Sequence, residues 1–333
     1  MSGMRWVGLG FIGIISMLGF GAVAEEPNVV LRMATQAPDG TEWARESRAF
    51  AQDVEDATQG SLRIKWYFSG IAGTEFDELE RMRRGQLDGM AGALYCEHLA
   101  PSLYAMEMLG MVHTQQEAAS LLHELLPIVD KELAATQFRA LFVSLGFGHR
   151  VLFSRNPVRS MADLRQGHYW VWDLDDVLRK QLQEMGVHVV PLSLGDARHA
   201  YEQHEIDGFF VIPQGALAFQ YSSIAHYYTD LETGYLPGCV VMKTSSIDQI
   251  PYAHQLSLMA AAGKLKARFE DTGLRMDEQL MRTLFIKQGL EAVPMSAAFR
   301  DEWFKEGRAV YQRLREQLVP SAAGRSLLET PRK

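Results

Sequence analysis

The chain has 333 residues, 47% of them hydrophobic and 22% charged, and a formal net charge of -8. That acidic balance, with no long basic run and no RNA-binding aromatic motif, argues against nucleic acid as a partner. Ten histidines and two cysteines carry no HExxH, CxxC, GxSxG or phosphate-loop pattern, so no metal site, cofactor or catalytic constellation is implied.

The N-terminus reads as a secretory signal peptide. Arg5 supplies a positive start, Trp6 to Phe20 is almost uninterrupted apolar sequence, and Ala22-Val23-Ala24 is a small-x-small cleavage signal. The hydrophobic core is short for a membrane anchor. Cleavage after Ala24 leaves 309 residues (333 minus 24) with a charge of -9, because Arg5 is lost. That is enough chain for two lobes with separate cores. An exported protein is permitted a disulfide between Cys96 and Cys239, although the sequence does not show that the two meet.

Residues 29–35, VVLRMAT, predict the first strand. Thr41 caps a helix over about 42–58, with Trp43, Phe50, Ala51 and Val54 on one face, and Gln59-Gly60 stops it. Residues 61–68 alternate as a strand, Leu62, Ile64 and Trp66 opposite Arg63, Lys65 and Tyr67. A turn at 70–74 opens a helix near 75–84 whose start can hold an anion. LDGMAGA at 87–93 is a short strand whose small residues admit close approach of another element or of a ligand. Alternating strands and helices predict a βαβ-type lobe.

An apolar, Met-rich linker at 101–111 leads into a helix at 115–136 with Leu121, Leu122, Leu125 and Leu126 on its core face. A strand beginning at 140–144 is expected to continue through the glycines to 151–154, a long strand crossing between lobes. Ser160 caps a short helix, and DLRQGHYWVWD at 163–173 follows. There Tyr169 and Val171 face one way and His168, Trp170 and Trp172 the other. This run ends at a strand-to-helix junction, a usual place for a site in α/β proteins. Asp173 or Asp175 caps the next helix, to about Met185. Strands at 187–191, 209–211 and 240–242 follow, then helices over 255–272, 277–289 and 296–318, and a tail after Pro320 that frays.

The order of these segments resembles a substrate-binding protein of tripartite ATP-independent periplasmic (TRAP) transporters, in the DctP-like class. The resemblance runs through LRMAT, SLRIKWYFSG, GTEFDELERMRRGQLDGM, FSRNPVRSMADLRQG, EMGVHVVPLSLGDARHAYEQHEIDG and YLPG, about residues 29–320. It implies an α/β, periplasmic-binding-protein-like clamshell of two α/β lobes with crossing strands and a helical C-terminal layer. On this reading residues 1–24 are the signal peptide and 25–150 the first lobe, completed by segments near 210–250. Residues 151–209 form the core of the second lobe, 250–320 a helical layer bracing both, and 321–333 a flexible tail.

The chain departs from the family's pattern at its site. Relatives commonly place an arginine on the strand matching Gly167 to Asp173, where it pairs with a ligand carboxylate; here that position falls at Val171, between Trp170 and Trp172. After Asp207-Gly208 the usual polar residues are replaced by Phe209, Phe210, Val211 and Ile212. The expected binding residues are therefore Trp170, Trp172, Phe209 and Phe210, with Tyr95, and with Arg150 able to reach a carboxylate from another direction. The resemblance implies reversible capture of a small molecule, here apolar or aromatic, for delivery to a TRAP-type membrane permease, without enzymatic activity. A periplasmic TPR-type helper protein is a further partner of some relatives, and a monomer or weak homo-oligomer is expected. The alternative is a periplasmic ligand-sensing or hydrophobic-molecule-binding protein uncoupled from transport.

Overall fold

The computed structural model describes residues 29–330 apart from residue 232, so the signal peptide expected over 1–24 lies outside the described residues. The first lobe opens with β1 (Val29–Thr35), α1 (Glu42–Ala57), β2 (Leu62–Tyr67), α2 (Glu75–Arg83) and β3 (Gly89–Gly92). Thr41 Oγ1 accepts the Ala44 N–H, and α1 buries Ala44, Ser47, Phe50 and Val54 at helical spacing. At the head of α2, Thr74 and Asp77 form a reciprocal capping box. The anion expected at that helix start is thus the protein's own Asp77.

Two elements follow that the sequence does not announce. Leu94–Leu99 forms α3 directly after β3, and Pro101–Glu107 winds as a 3-10 turn. The expected linker is packed: Ser102, Leu103, Ala105, Met106 and Glu107 are all buried. α4 (Gln115–Ala134) then buries Leu121, Leu122 and Leu125 as its spacing predicts, and β4 (Phe138–Ser144) closes this part of the chain.

The second lobe comprises β5 (Val151–Ser154), α5 (Met161–Gln166), β6 (His168–Trp172), α6 (Asp176–Glu184), β7 (His188–Leu192), α7 (Ala197–Glu202), β8 (Gly208–Val211), α8 (Pro213–Ala218) and β9 (Tyr227–Thr229). The chain then returns through β10 (Gly238–Lys243) and α9 (Thr244–Asp248) to the long helix α10 (Tyr252–Gln279). A π-helical turn over Leu280–Leu284, α11 (Phe285–Lys287), β11 (Glu291–Ala292), α12 (Ala297–Leu318) and α13 (Ala322–Glu329) complete it.

Two sheets result, with strand orders β2-β1-β3-β10-β4 and β11-β9-β5-β8-β6-β7. β1 runs parallel to β2 and β3, while β10 is antiparallel to both β3 and β4. The strand expected to run unbroken from 140 to 154 is two strands in two sheets. Residues 145–150 turn between them, helped by Gly148 at φ +70°. A second crossing, through 233–237, lies beside the first: His149 bridges Tyr235, and Leu236 N–H donates to Gly148 O at 2.9 Å.

The helices expected at 255–272 and 277–289 form one run from 252 to 287 through the π turn, about 54 Å at ~1.5 Å per residue. Its first half buries Leu258, Ala261, Ala262 and Leu265 against Phe50 and Val54 of α1. Arg268 pairs there with Glu46 at 2.5 Å and Asp53 at 2.9 Å. Its far end places Leu280 and Phe285 in the second lobe's core. The tail expected to fray is helical over α13, where Leu328 is buried and Tyr311 Oη donates to Glu329 at 2.9 Å. Cys96 of α3 and Cys239 of β10 are disulfide-bonded, which settles the pairing left open by the sequence.

Candidate solute-binding cleft

A cavity of about 120 Å³ lies where the two lobes face each other. Its walls come from the C-terminal ends of β1, β3, β6 and β8, the crevice in which open α/β sheets bind ligands. The first lobe contributes Gln36, Trp43, Glu75 and Ala91 to Leu94; the second contributes Trp170, Trp172, Phe210 to Ile212 and Phe219. Phe147 and Leu236 of the two crossings close it.

The wall is chiefly aromatic. Trp43 and Phe147 meet at 5.5 Å with their planes at 55°, and both belong to one apolar cluster with Ala93, Leu94, Trp172 and Ile212. Phe147 reaches this position because residue 238 is glycine: a Cβ there would come within 1.9 Å of the ring.

Of the residues expected from sequence, Trp172 and Phe210 stand on the wall. Trp170 also borders the cavity, but it is 1% exposed, its Nε1 donates to Leu192 O at 2.8 Å, and its ring packs on Tyr221. Phe209 is absent from the wall. It stacks between Tyr221 at 4.4 Å and Tyr201 at 4.9 Å, because alternation along β8 sends it to the face opposite Phe210. Tyr95 is also away from the wall; its hydroxyl lies 2.7 Å from Cys239 O and 3.0 Å from Met90 O, and fixes α3 to the sheet.

Arg150 borders the cavity, but its charge is already matched. Its guanidinium reaches Glu107 at 2.6 Å and Asp175 at 2.5 Å, all three side chains being buried. Asp175 Oδ1 meanwhile accepts the Leu178 N–H and caps α6. Glu97 is a third carboxyl in this cluster. Burial and the neighbouring Glu107 push it well above the ordinary carboxylate range, and burial also raises Asp175, to about 6, against the opposing pull of Arg150.

Glu75 is the acid that sequence reasoning missed. One carboxylate oxygen accepts the Ala93 N–H and the other the Tyr95 N–H, each at 3.0 Å. Gly92 makes room, since a Cβ there would lie 2.3 Å from Glu75 Oε1. The small residues of β3 thus serve both the cavity and this carboxylate. Burial raises Glu75 to about 7, and burial with the charge of Glu75 raises Glu78 to about 9. Glu78 accepts from Gln36 Nε2 at 2.9 Å. The wall thus carries one guanidinium, matched twice, and the carboxyls Glu75 and Asp175. Among the described residues no group of three His, Cys, Asp or Glu is placed to hold a metal ion, and no helix is long and apolar enough to cross a membrane.

The fold is shared with solved solute receptors. The Bordetella pertussis extracytoplasmic solute receptor DctP7, binding pyroglutamic acid, superposes with a TM-score of 0.79 at 17% identity, over 90% of this chain and 98% of that one. A TRAP periplasmic solute-binding protein from Haemophilus influenzae with bound L-gulonate gives 0.81 at 16% identity, covering 90% and 97%. A curated solute-binding protein of Chromohalobacter salexigens is 22% identical over 222 residues, and the match spans 64% of each chain's length. Residues 33–317 match the sequence pattern of bacterial extracellular solute-binding protein family 7, DctP, and the chain belongs to that family.

Proposed function

We propose that the protein is a periplasmic solute receptor of a TRAP transporter, which encloses an apolar or aromatic small molecule between its lobes and delivers it to the integral membrane permease subunits. The observation that carries the solute class is the state of the one guanidinium on the wall. Arg150 is held by Glu107 and Asp175, and the strand that would offer a second arginine offers Trp170, Val171 and Trp172 instead. An acid such as the pyroglutamic acid or L-gulonate of the solved neighbours would find no uncommitted positive charge on this wall. An apolar or ring-bearing solute would instead bury surface against Trp43, Phe147, Trp172 and Phe210. Closure by hinge rotation at the two crossings, 145–150 and 233–237, is the corresponding motion.

Native mass spectrometry of freshly purified protein, followed by extraction of what it carries, tests this. An apolar or aromatic solute is expected. Recovery of a tightly held small dicarboxylate overturns the solute class, and a solute that a co-produced permease fails to accept favours the ligand-sensing alternative.

A further inference from the structure

The balance of charge in the cleft carries the reading of the solute one step further. The cavity wall contains three ionisable side chains, Glu75, Arg150 and Asp175. Asp175 and Arg150 are joined at 2.5 Å and cancel. Glu75 is left as the group without a side-chain cation among the described residues; its oxygens meet backbone N–H groups of Ala93 and Tyr95, with Leu94 beside them. Glu97 behind Arg150 and Glu78 beside Glu75 are both raised by burial and add no negative charge of their own, and Arg81 lies near Glu78. With Glu75 ionised, a wall of this kind disfavours an anion and leaves a neutral molecule without an electrostatic anchor, but it suits a positive charge. The aromatic rings agree, since the faces of Trp43, Phe147, Trp172 and Phe219 are the negative side of their quadrupoles.

We propose that the solute is an organic cation, an ammonium group on an apolar or aromatic body, held by the ring faces of Trp43, Phe147 and Trp172 with Glu75 as counter-charge. This rests on the apolar-solute reading and adds the charge to it. Trp43 and Phe147 meet at 5.5 Å with their planes at 55°, and both border the same cavity as Glu75. Burial already raises Glu75 to about 7, so an incoming cation favours its ionised form, binding releases a proton, and affinity for the cation rises between pH 6 and 8. The groups facing Glu75 are Glu78 on its own helix, Gln36 after β1, Tyr95 on α3 and, across the cleft, the Arg150 cluster. Glu78 remains largely protonated over that range and does not reverse the trend.

The test is calorimetric titration of the purified protein, dialysed free of co-purified solute, with 2-phenylethylamine, 2-phenylethanol and phenylacetate. These share a ring and a two-carbon scale and differ in charge. The amine is expected to bind at least about tenfold more tightly than the alcohol, and the carboxylate not at all. Trp172→Leu is expected to cost the amine about tenfold and the alcohol less, since it removes a ring face and keeps an apolar side chain. An alcohol equal to the amine overturns the cation and leaves the apolar solute standing. A carboxylate that binds best overturns both. An amine that fails to bind at millimolar concentration overturns the cation whatever the other two do.

Discussion

Asp175 and Arg150 meet at 2.5 Å inside the protein, and the other terminal nitrogen of the same guanidinium meets Glu107 at 2.6 Å. Asp175 belongs to the second lobe and Glu107 to the turn after α3, so one buried cation ties these parts together. Removing it strands two carboxylates away from water. Arg150→Met is expected to cost about 3–5 kcal/mol, read as a shift of the urea midpoint. Adding Glu107→Gln and Asp175→Asn should recover much of that loss. If Arg150→Met instead leaves stability intact and abolishes solute binding, the guanidinium serves the ligand and not the fold.

Phe209 and Trp172 separate packing from binding. Phe209→Ala is expected to lower stability by about 3–5 kcal/mol, since it removes the ring stacked between Tyr201 and Tyr221. Trp172 is only half-buried, and Trp172→Ala should cost less stability while weakening retention of the co-purified solute by about tenfold. Thermal unfolding and a binding titration on both variants check the pair. Equal effects on binding would return Phe209 to the cleft.

Glu75 and Glu78 make stability fall as pH rises. Both are raised by burial, to about 7 and about 9 from ordinary values of 4.5, so the folded protein holds protons that the unfolded chain releases. Their contribution is complete below about pH 4.5 and is lost as pH climbs through 7 and then 9. Glu75 alone amounts to roughly 3 kcal/mol over its window, at ~1.4 kcal/mol per pH unit. Asp39, Asp77 and Asp88 are lowered by Arg48, Thr74 and Arg32 and act oppositely, but only at acid pH. The melting temperature is expected to be lower at pH 9 than at pH 6, and Glu78→Gln to flatten the alkaline part of the profile. A flat profile between pH 6 and 9 in the unaltered protein would show that both carboxyls are ionised throughout.

The disulfide should matter to stability more than to the wall's chemistry. Cys96 and Cys239 are 143 residues apart, so their bond closes a long loop in the unfolded chain. Replacing both by serine is expected to cost about 2–5 kcal/mol. Denaturation of the variant should match that of the unaltered protein in reductant; a variant as stable as the oxidised protein would show that the bond does not stabilise the fold.

Local patterns were legible in the sequence, and the cleft was legible in part. The Thr41 cap, the alternation of β6 and the leucines of α4 appear where periodicity puts them, because each depends on neighbours within one element. Trp172 and Phe210 were found through the substitution of a family position. Trp43 and Phe147 were not: the first reads as one more apolar residue on a helix face, and the second lies in a glycine-rich turn. They meet only when the chain crosses between lobes. Glu75 was hidden for a similar reason, since its partners are backbone N–H groups of Ala93 and Tyr95, which leave no trace in residue type. Phe209 was misplaced because two adjacent phenylalanines on a strand look alike until the sheet assigns each a face.

The bond between Cys96 and Cys239 has a bearing on when the receptor becomes functional. It ties α3, whose first turn carries Ala93 and Leu94 to the wall, to β10 in the middle of the first sheet. Until the thiols are oxidised, that helix is held by packing of Leu94 and Leu99 and by the hydrogen bonds of Glu75 and Tyr95, with no covalent tie. A reduced copy would therefore have a slacker jaw than an oxidised one. Oxidation of the pair would then firm one jaw of the cleft, and a reduced chain would hold a solute more loosely than an oxidised one.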